Sequence, residues 1–370
     1  MVPLGAIAIF LPLIREDLAL TFTQAGLISA AGLATYAAMQ IPAGYLADRY
    51  GPRMLFIVGL ILTNLLSIQF AVLQSLPGLL INQAASGIFR SFAFAPGLLL
   101  VSSYFSVSRR STALSIFVVG AASGGVVVNS LGPLLVPLLG WRGFLAASAL
   151  VSLVSIIVYW LVGGLPESPA ATRPANLAGL IAVARTPLLL YASYIQFVRL
   201  ALVQGLRYWL PTFLVIERGM SLAFAGLLIA VSTAASLPAN LAGGFIADRL
   251  QRPFLVIGGS LTMLAVTTAL LIPVRSVIGV ALVVLVQSLF LQAYFGPLFD
   301  IPIRSLGQEN AGSISGFANL SANVGALTFS FLLGAVRDLT GSFDLGLILM
   351  AAACGLGVLA TDRMRRAVAS

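Results

Sequence analysis

The chain alternates between long apolar runs and short polar segments. A helix that crosses a membrane needs about 20 predominantly apolar residues, and we number the runs of roughly this length spans 1 to 12. They cover residues 1-14, 22-46, 54-74, 77-104, 111-139, 143-163, 187-216, 221-247, 254-273, 276-302, 311-336 and 343-361. The pattern therefore predicts an all-α membrane protein with twelve transmembrane helices.

One charged turn occurs twice, and its two copies lie 200 residues apart. Residues 44-53, between spans 2 and 3, read GYLADRYGPR, and residues 244-253, between spans 8 and 9, read GFIADRLQRP. An internal repeat of this kind is typical of secondary transporters. It predicts two pseudo-symmetric six-helix bundles, at residues 1-163 and 187-370, which a Pro- and Gly-rich cytoplasmic linker at 164-186 connects.

The first span is too short for a membrane. Its 14 residues cover about 21 Å of a hydrocarbon core that is about 30 Å thick. Span 7 begins near Leu188, so the repeat offset places the start of its counterpart about 12 residues before Met1. We therefore expect a first helix that is truncated at its start.

The composition requires a bilayer, because 59% of the residues are hydrophobic, only 8% are charged and the mean hydropathy is +1.05. The 20 basic residues are all arginine, and with 11 acids they give a net charge of +9. Most of these arginines lie in the short gaps between spans. There they set membrane orientation, so we expect no binding of nucleic acid.

The chain has no histidine and a single cysteine, Cys354, in the last span. An internal disulfide and a thiolate metal cluster are therefore excluded, as is the usual chemistry of zinc, haem and Ser-His-Asp triads. The sequence predicts that the protein is not an enzyme and that it binds no cofactor and no metal.

The arginines also predict an orientation. If the two repeated turns face the cytoplasm, 12 of the arginines outside the spans lie on the cytoplasmic side of the membrane and five lie on the opposite side. The positive-inside rule favours this distribution. We therefore expect a multi-pass monomer in the plasma membrane of a bacterium, its inner membrane, in contact with lipid and with both termini in the cytoplasm.

The Gly-x-x-x-Asp-Arg-x-Gly-x-Arg turn, its degenerate second copy and the 6+6 layout together resemble the major facilitator superfamily, over the whole chain. The Gly140-Trp141-Arg142 corner after span 5 and the motif from Trp209 to Leu214 at the end of span 7 are similar to its organic-anion branches. The chain departs from the family pattern at Pro52, at Leu250-Gln251 and at Gln83, and span 5 lacks the Gly-Gly after Gly-Pro that is typical of drug-proton antiporters. The resemblance implies alternating access, with spans 1, 4, 7 and 10 around a central cavity.

The repeated turn is a candidate gate. Asp48 can meet the positive N-terminal end of the helix near Ala311, and Asp248 that of the helix near Ser111; the alternative is an ordinary loop that obeys positive-inside statistics. Asp300 either has a gating or proton-coupling role or forms a simple ion pair with Arg304, one turn away. The predicted gating residues are Gly44, Asp48, Arg49, Gly51, Arg53, Gly244, Asp248, Arg249, Asp300 and Arg304.

Three arginines lie at membrane depth: Arg90 in span 4, and Arg199 and Arg207 in span 7. Each costs about 2.5–3.5 kcal/mol on insertion scales, so it should face a cavity, a partner or a ligand. They can instead pair with helix-end carbonyls or snorkel to water, and the two asparagines of span 11 can simply join helices. The predicted substrate-binding residues are Arg90, Arg199, Arg207, Gln83, Gln196, Gln204, Gln292, Tyr294, Asn319 and Asn323.

An arginine-rich site predicts a secondary transporter for a small organic anion, a carboxylate or a phosphorylated metabolite. One alternative is a multidrug or cation exporter of the same superfamily. Such an exporter would need an acidic residue within a span of the N-terminal half. None is visible there, although the missing start of span 1 could hold one. The second alternative is a membrane sensor that does not transport.

Overall fold

The computed structural model describes residues 2–104, 107–162, 186–307 and 311–369, and within these ranges every regular element is helical. Helices occur at all twelve predicted spans. Span 1 is Val2–Ile9 with Leu11–Asp17, span 2 is Phe22–Tyr50, span 3 is Pro52–Val72, span 4 is Leu76–Tyr104, spans 5 and 6 form Val107–Val162, span 7 is Pro187–Leu200, Ala201–Leu206, Arg207–Thr212 and Phe213–Glu217, span 8 is Leu222–Leu250, span 9 is Pro253–Leu270, span 10 is Val277–Ala293 with Phe295–Leu306, span 11 is Ala311–Thr340 and span 12 is Asp344–Ala369.

The outer surfaces of these helices are apolar. Leu138, Val162 and Ile81 are 71–81% exposed, which water would not tolerate over contiguous patches but lipid does. Of the described helices, eight are long and apolar enough to cross a membrane, or nine if the bent pair of spans 1 and 2 is one crossing. Spans 5 and 6 count once in that number because no residue separates the two helices, which meet at a kink at Gly140. The protein is therefore a multi-pass membrane protein.

The chain forms two compact units, Met1–Arg173 with spans 1 to 6 and Pro174–Ser370 with spans 7 to 12. The predicted linker at 164-186 lies outside the described residues except for Thr186, so its bounds stay a prediction. Span 1 consists of helices of 8 and 7 residues, whereas span 7 covers 31 residues. The difference in length that the sequence predicts between these two spans is therefore present.

The turns repeat between the units in geometry as well as in sequence. Gly51, between spans 2 and 3, has φ +86°, and its counterpart Gln251 has φ +51°. Likewise Gly140 interrupts the helix between spans 5 and 6 with φ +64°, and Gly341 lies between spans 11 and 12 with φ +78°. Because a left-handed conformation costs an L-residue about 1–2 kcal/mol, Gln251 retains the turn of the first copy under strain.

Glycines bring helix backbones into direct contact. A Cβ atom on Gly87 of span 4 would overlap the Gly32 carbonyl oxygen and the Thr35 hydroxyl of span 2, and that hydroxyl donates to the Ala84 carbonyl at 2.7 Å. In the second unit, a Cβ atom on Gly325 of span 11 would overlap the Phe197 carbonyl oxygen of span 7. Small residues allow such close approach between membrane helices. Here they fix the position of span 4 along span 2 and of span 7 along span 11.

An ion pair anchors the end of the first span of each unit. Asp17 accepts a hydrogen bond from Trp141 Nε1 at 3.1 Å and forms an ion pair with Arg142. Its repeat counterpart Glu217 pairs with Arg337 of span 11 at 2.8 Å. The side chains of the second pair are 14% and 18% exposed, against 40% and 36% for Asp17 and Arg142, so the second pair should contribute more to stability.

We expect Glu217→Gln to lower the apparent melting temperature of the detergent-solubilised protein more than Asp17→Asn does. Breaking a buried pair costs about 3–5 kcal/mol, whereas exposed pairs contribute about 0.2–1 kcal/mol, and the Glu217 pair lies between these limits. Thermal unfolding followed by tryptophan fluorescence measures both shifts. Asp362→Asn, in a well-exposed pair with Arg365 and Arg366, is the control, and equal shifts for all three variants would contradict the expectation.

Candidate substrate-binding cavities

The C-terminal unit contains a cavity between spans 7, 8 and 10. Its volume is about 50 Å³, which exceeds the space that one water needs and suits a group of carboxylate size. None of the described residues that line it is acidic. The polar residues in its lining are Arg207, Ser232, Thr233, Ser236, Gln287, Ser288 and Gln292.

Arg199 is held next to this cavity by two amides. It is 7% exposed, its Nε donates to Gln196 Oε1 at 2.8 Å and its Nη1 donates to Gln292 Oε1 at 3.2 Å. The guanidinium carbon also lies 4.7 Å from the centre of the Phe295 ring, which is within the range of a cation–π interaction. Since Gln292 lines the cavity, it connects Arg199 to the site of Arg207.

Arg207 begins a new helix directly after the π-helical segment Ala201–Leu206. Its Nη2 donates to Thr233 Oγ1 of span 8, and Thr233 in turn donates to the Ile229 carbonyl at 2.7 Å. A π segment changes the helical register and is frequent at functional sites. Here it separates Arg207 from Gln204, which lies inside the segment, is exposed and does not line the cavity.

Tyr294 and Gln196 lie deep in the same unit. Tyr294 is fully buried at the break between the two helices of span 10, and its hydroxyl has no hydrogen-bond partner among the described residues. Gln196 is 1% exposed; its oxygen accepts from Arg199, while its Nε2 is also unpartnered within the described part of the chain. Gln196 therefore positions Arg199, and the Tyr294 hydroxyl and the Gln196 amide nitrogen each have a hydrogen bond still to make within the described part of the chain.

Arg90 in the N-terminal unit is 4% exposed and packs against span 2. A Cβ atom on Gly32 would lie 2.9 Å from Arg90 Nη2, and the guanidinium carbon is 5.9 Å from the centre of the Tyr36 ring. Arg90 also lines a cavity between spans 3, 4 and 6. Gln83 does not line that cavity, and its amide donates to Asn82 Oδ1 at 3.2 Å.

The remaining predicted residues lie apart from both cavities. Asn323 Nδ2 donates to the Asn319 carbonyl within span 11 at 2.8 Å, and neither asparagine lines either cavity. Asp300 and Arg304 form the exposed ion pair that the sequence allows as an alternative to a gate, with 2.7 Å between Oδ1 and Nε.

The repeated turns are described only in part. The side chains of Asp48 and Asp248, and of the helix starts near Ser111 and Ala311, lie outside the described residues, so the gate stays a prediction. Arg53 Nη2 donates to the Trp160 carbonyl at 3.3 Å. The glycines of the motif are Gly44, Gly51 and Gly244, and its other arginines, Arg49 and Arg249, stack on Tyr50 and Phe245 at 5.5 and 6.0 Å.

Several cavity residues were not predicted from the sequence. Thr233 binds Arg207, and Asn64, Thr63, Ser152 and Ser155 line the cavity beside Arg90. Each is an uncharged polar residue within an apolar run. Spacing could have identified two of them as site residues, because Ser152 and Ser155 lie three residues apart on one helix face.

Comparison with known proteins identifies the family. The family model described as Major Facilitator Superfamily matches residues 2–330. The probable sulfoacetate transporter SauU of Cupriavidus necator is 26% identical, over 96% of this chain and 88% of its own. The hexuronate transporter of Bacillus subtilis is 23% identical over the same shares, and the probable L-galactonate transporter of Escherichia coli is 23% identical over 94% and 82%.

Solved structures show the same fold. A bacterial homologue of the human lysosomal transporter Spinster, in inward-facing occupied and unoccupied conformations, gives TM-scores of 0.82 and 0.84. Each comparison has 17% sequence identity and covers 99% of this chain and 93% of the other. With the family model matching nearly the whole chain, the resemblance seen in the repeated turn is confirmed, and the chain belongs to the Major Facilitator Superfamily.

Proposed function

We propose that this protein is a secondary transporter that moves a small organic anion, a carboxylate or a phosphorylated metabolite, by alternating access. The observation that carries the proposal is the pair of arginines on span 7. Arg207 lines the cavity, and Arg199 donates a hydrogen bond to Gln292, which also lines it. Both arginines have neutral partners, an amide and a hydroxyl. Within the described part of the chain neither arginine forms an ion pair with an acid, so their charges are positioned there but not neutralised.

The chemistry of this cavity selects anions. A buried ion without a counter-charge costs several kcal/mol, and the described residues around the cavity supply no carboxylate. A carboxylate or phosphate would provide that charge and accept charge-assisted, forked hydrogen bonds from guanidinium groups. Gln287 and Ser288, which also line the cavity, can then bind hydroxyl groups elsewhere on the substrate.

The names of the relatives support this substrate class. The relatives described above are named as transporters of sulfoacetate, hexuronate and L-galactonate, and further relatives of Bacillus subtilis and Staphylococcus aureus are named for nitrite and nitrate. All five substrates are anions. A cation exporter has no comparable support from the residues of this cavity.

The other predicted features belong to the same proposal. Arg90 is a second anion-binding group, in the N-terminal unit, and the turns at Asp48 and Asp248 gate the transport cycle. The protein is a monomer in a bacterial inner membrane, in contact with lipid and with both termini in the cytoplasm.

The decisive experiment measures binding and flux in the purified protein. A ligand that prefers the folded state raises the apparent melting temperature by mass action. We expect sulfoacetate, a hexuronate or L-galactonate to give such a rise and to be exchanged across proteoliposome membranes, whereas tetraphenylphosphonium gives neither. Stabilisation by the cation alone would replace the proposal with the exporter, and anion binding without any exchange would replace it with the sensor.

A further inference from the structure

The N-terminal unit contains a second and larger cavity, of about 250 Å³, between spans 3, 4 and 6. It shares no lining residue with the cavity of the C-terminal unit. A packing defect between membrane helices would be lined by apolar side chains, whereas several residues around this cavity are polar. The polar residues of the lining are Thr63, Asn64, Arg90, Ser152, Ser155 and Tyr159.

Four buried polar atoms of this lining form no hydrogen bond of normal geometry within the described ranges: Arg90 Nε, Thr63 Oγ1, Asn64 Oδ1 and the Tyr159 hydroxyl. Arg90 and Asn64 are each only 4% exposed. Native proteins rarely leave such atoms unsatisfied, because each costs about 1–3 kcal/mol and a charged group costs more. Their convergence on one cavity indicates that something polar occupies it.

The occupant must carry a negative charge. Among the described residues Arg90 forms no ion pair with an acid, its contact with the Tyr36 ring is at the long distance of 5.9 Å, and the lining contains no carboxylate. A neutral ligand or water alone would satisfy hydrogen bonds but would leave the guanidinium charge uncompensated at membrane depth. An anion removes both costs at once.

The hydrogen-bonding pattern points to a small anion accompanied by water. Arg90 Nε and the Thr63 hydroxyl are free to donate to the anion. Ser152 and Ser155 already donate to the backbone carbonyls of Ser148 and Val151, both at 2.9 Å, so they and Asn64 Oδ1 offer lone pairs. Only water can donate to those lone pairs and to the anion together.

We infer that this cavity is a binding site for a small monovalent anion, such as chloride or a short carboxylate, bound with its water between Arg90 and Thr63. The single guanidinium charge sets the valence. Beyond Arg90 and Thr63, the described lining offers the Tyr159 hydroxyl as its one further uncommitted donor, which is too few for a larger polar ligand. This site is separate from the cavity of Arg207 in the C-terminal unit, and it remains in place if the proposed substrate class is wrong.

The test compares anions at matched ionic strength. We expect sodium chloride, bromide and acetate, each against sodium sulfate, to raise the apparent melting temperature of the detergent-purified protein by several degrees. Thr63→Val should reduce that shift, and Arg90→Gln should abolish it. Thr233→Val, in the other cavity, is the matched control: it should keep the chloride shift and weaken stabilisation by the organic anion.

A second measurement locates the ion and decides the question if Arg90→Gln does not fold. Crystals grown in bromide should show an anomalous peak within hydrogen-bonding distance of Arg90 Nε, and Thr63→Val should weaken it. A cavity that holds only water, a chloride shift that Thr63→Val leaves unchanged, or stabilisation by added phosphatidylglycerol in place of the small anions would each overturn the inference. None of these outcomes depends on which organic anion is transported.

Discussion

Arg199→Ala should reduce uptake of the organic anion into proteoliposomes to background, and Arg199→Lys should weaken it strongly. A hydrogen bond to a charged group contributes about 1.5–3 kcal/mol, so losing one costs roughly tenfold to a hundredfold in affinity. Lysine keeps the charge, but its ammonium group cannot reproduce the planar fork through which Arg199 reaches Gln196 and Gln292. Initial uptake rates over a range of substrate concentrations separate binding from turnover.

The matched control for charge removal is Arg365→Gln. Arg365 is 63% exposed, near the end of the last helix, and pairs with Asp362 at 2.8 Å, so its loss should leave uptake unchanged. Gln292→Leu, which removes the link between Arg199 and the cavity while keeping both arginines, should weaken binding less than Arg199→Ala does. Normal uptake by Arg199→Ala would disprove the role that we assign to Arg199.

Gly87→Ala should prevent most of the protein from reaching a folded, monodisperse state in the membrane. The added methyl group overlaps the Gly32 carbonyl and the Thr35 hydroxyl, and a backbone carbonyl cannot move aside as a flexible side chain can. Overpacking of a well-packed site usually costs about 1–3 kcal/mol, and a contact between two helix backbones lies at the upper end. Size-exclusion chromatography of a fluorescent fusion in detergent measures the folded fraction.

Gly120→Ala is the control for helix propensity, because a Cβ atom on Gly120 meets no other atom within 4 Å. It should fold as well as the unchanged protein. A Gly87→Ala variant that is as abundant and as monodisperse as Gly120→Ala would show that spans 2 and 4 cross less closely than described.

The fold was predictable because membrane helices have a strong local signal. Each needs a long apolar run, and the repeated turn placed spans 3 and 9 at equivalent positions in the two halves. The same logic singles out Arg90, Arg199 and Arg207 as candidate site residues, since a charge at membrane depth is costly without a partner or ligand. Arg207 and Arg90 do line cavities, whereas the binding role of all three stays a prediction.

Features that depend on tertiary contacts could not be predicted in this way. The π segment before Arg207 moves Gln204 off the arc that a regular helix would give it, and nothing local to the sequence announces that change. Thr63 and Asn64 are uncharged, so their presence in an apolar run carries little penalty and drew no attention. The ion pair of Glu217 with Arg337 joins residues 120 positions apart, although the repeat offset from Asp17 would have suggested it.

The partners of Arg199 and Arg207 have a consequence for how the transporter responds to acidity. Amides and hydroxyls do not titrate in the physiological range, and arginine keeps its proton throughout it. The chain has no histidine that could act as a switch near neutrality. The shape and charge of this cavity are thus constant from mildly acidic to mildly alkaline surroundings. When a cell acidifies its medium, the ionisation of the substrate changes while that of the cavity does not.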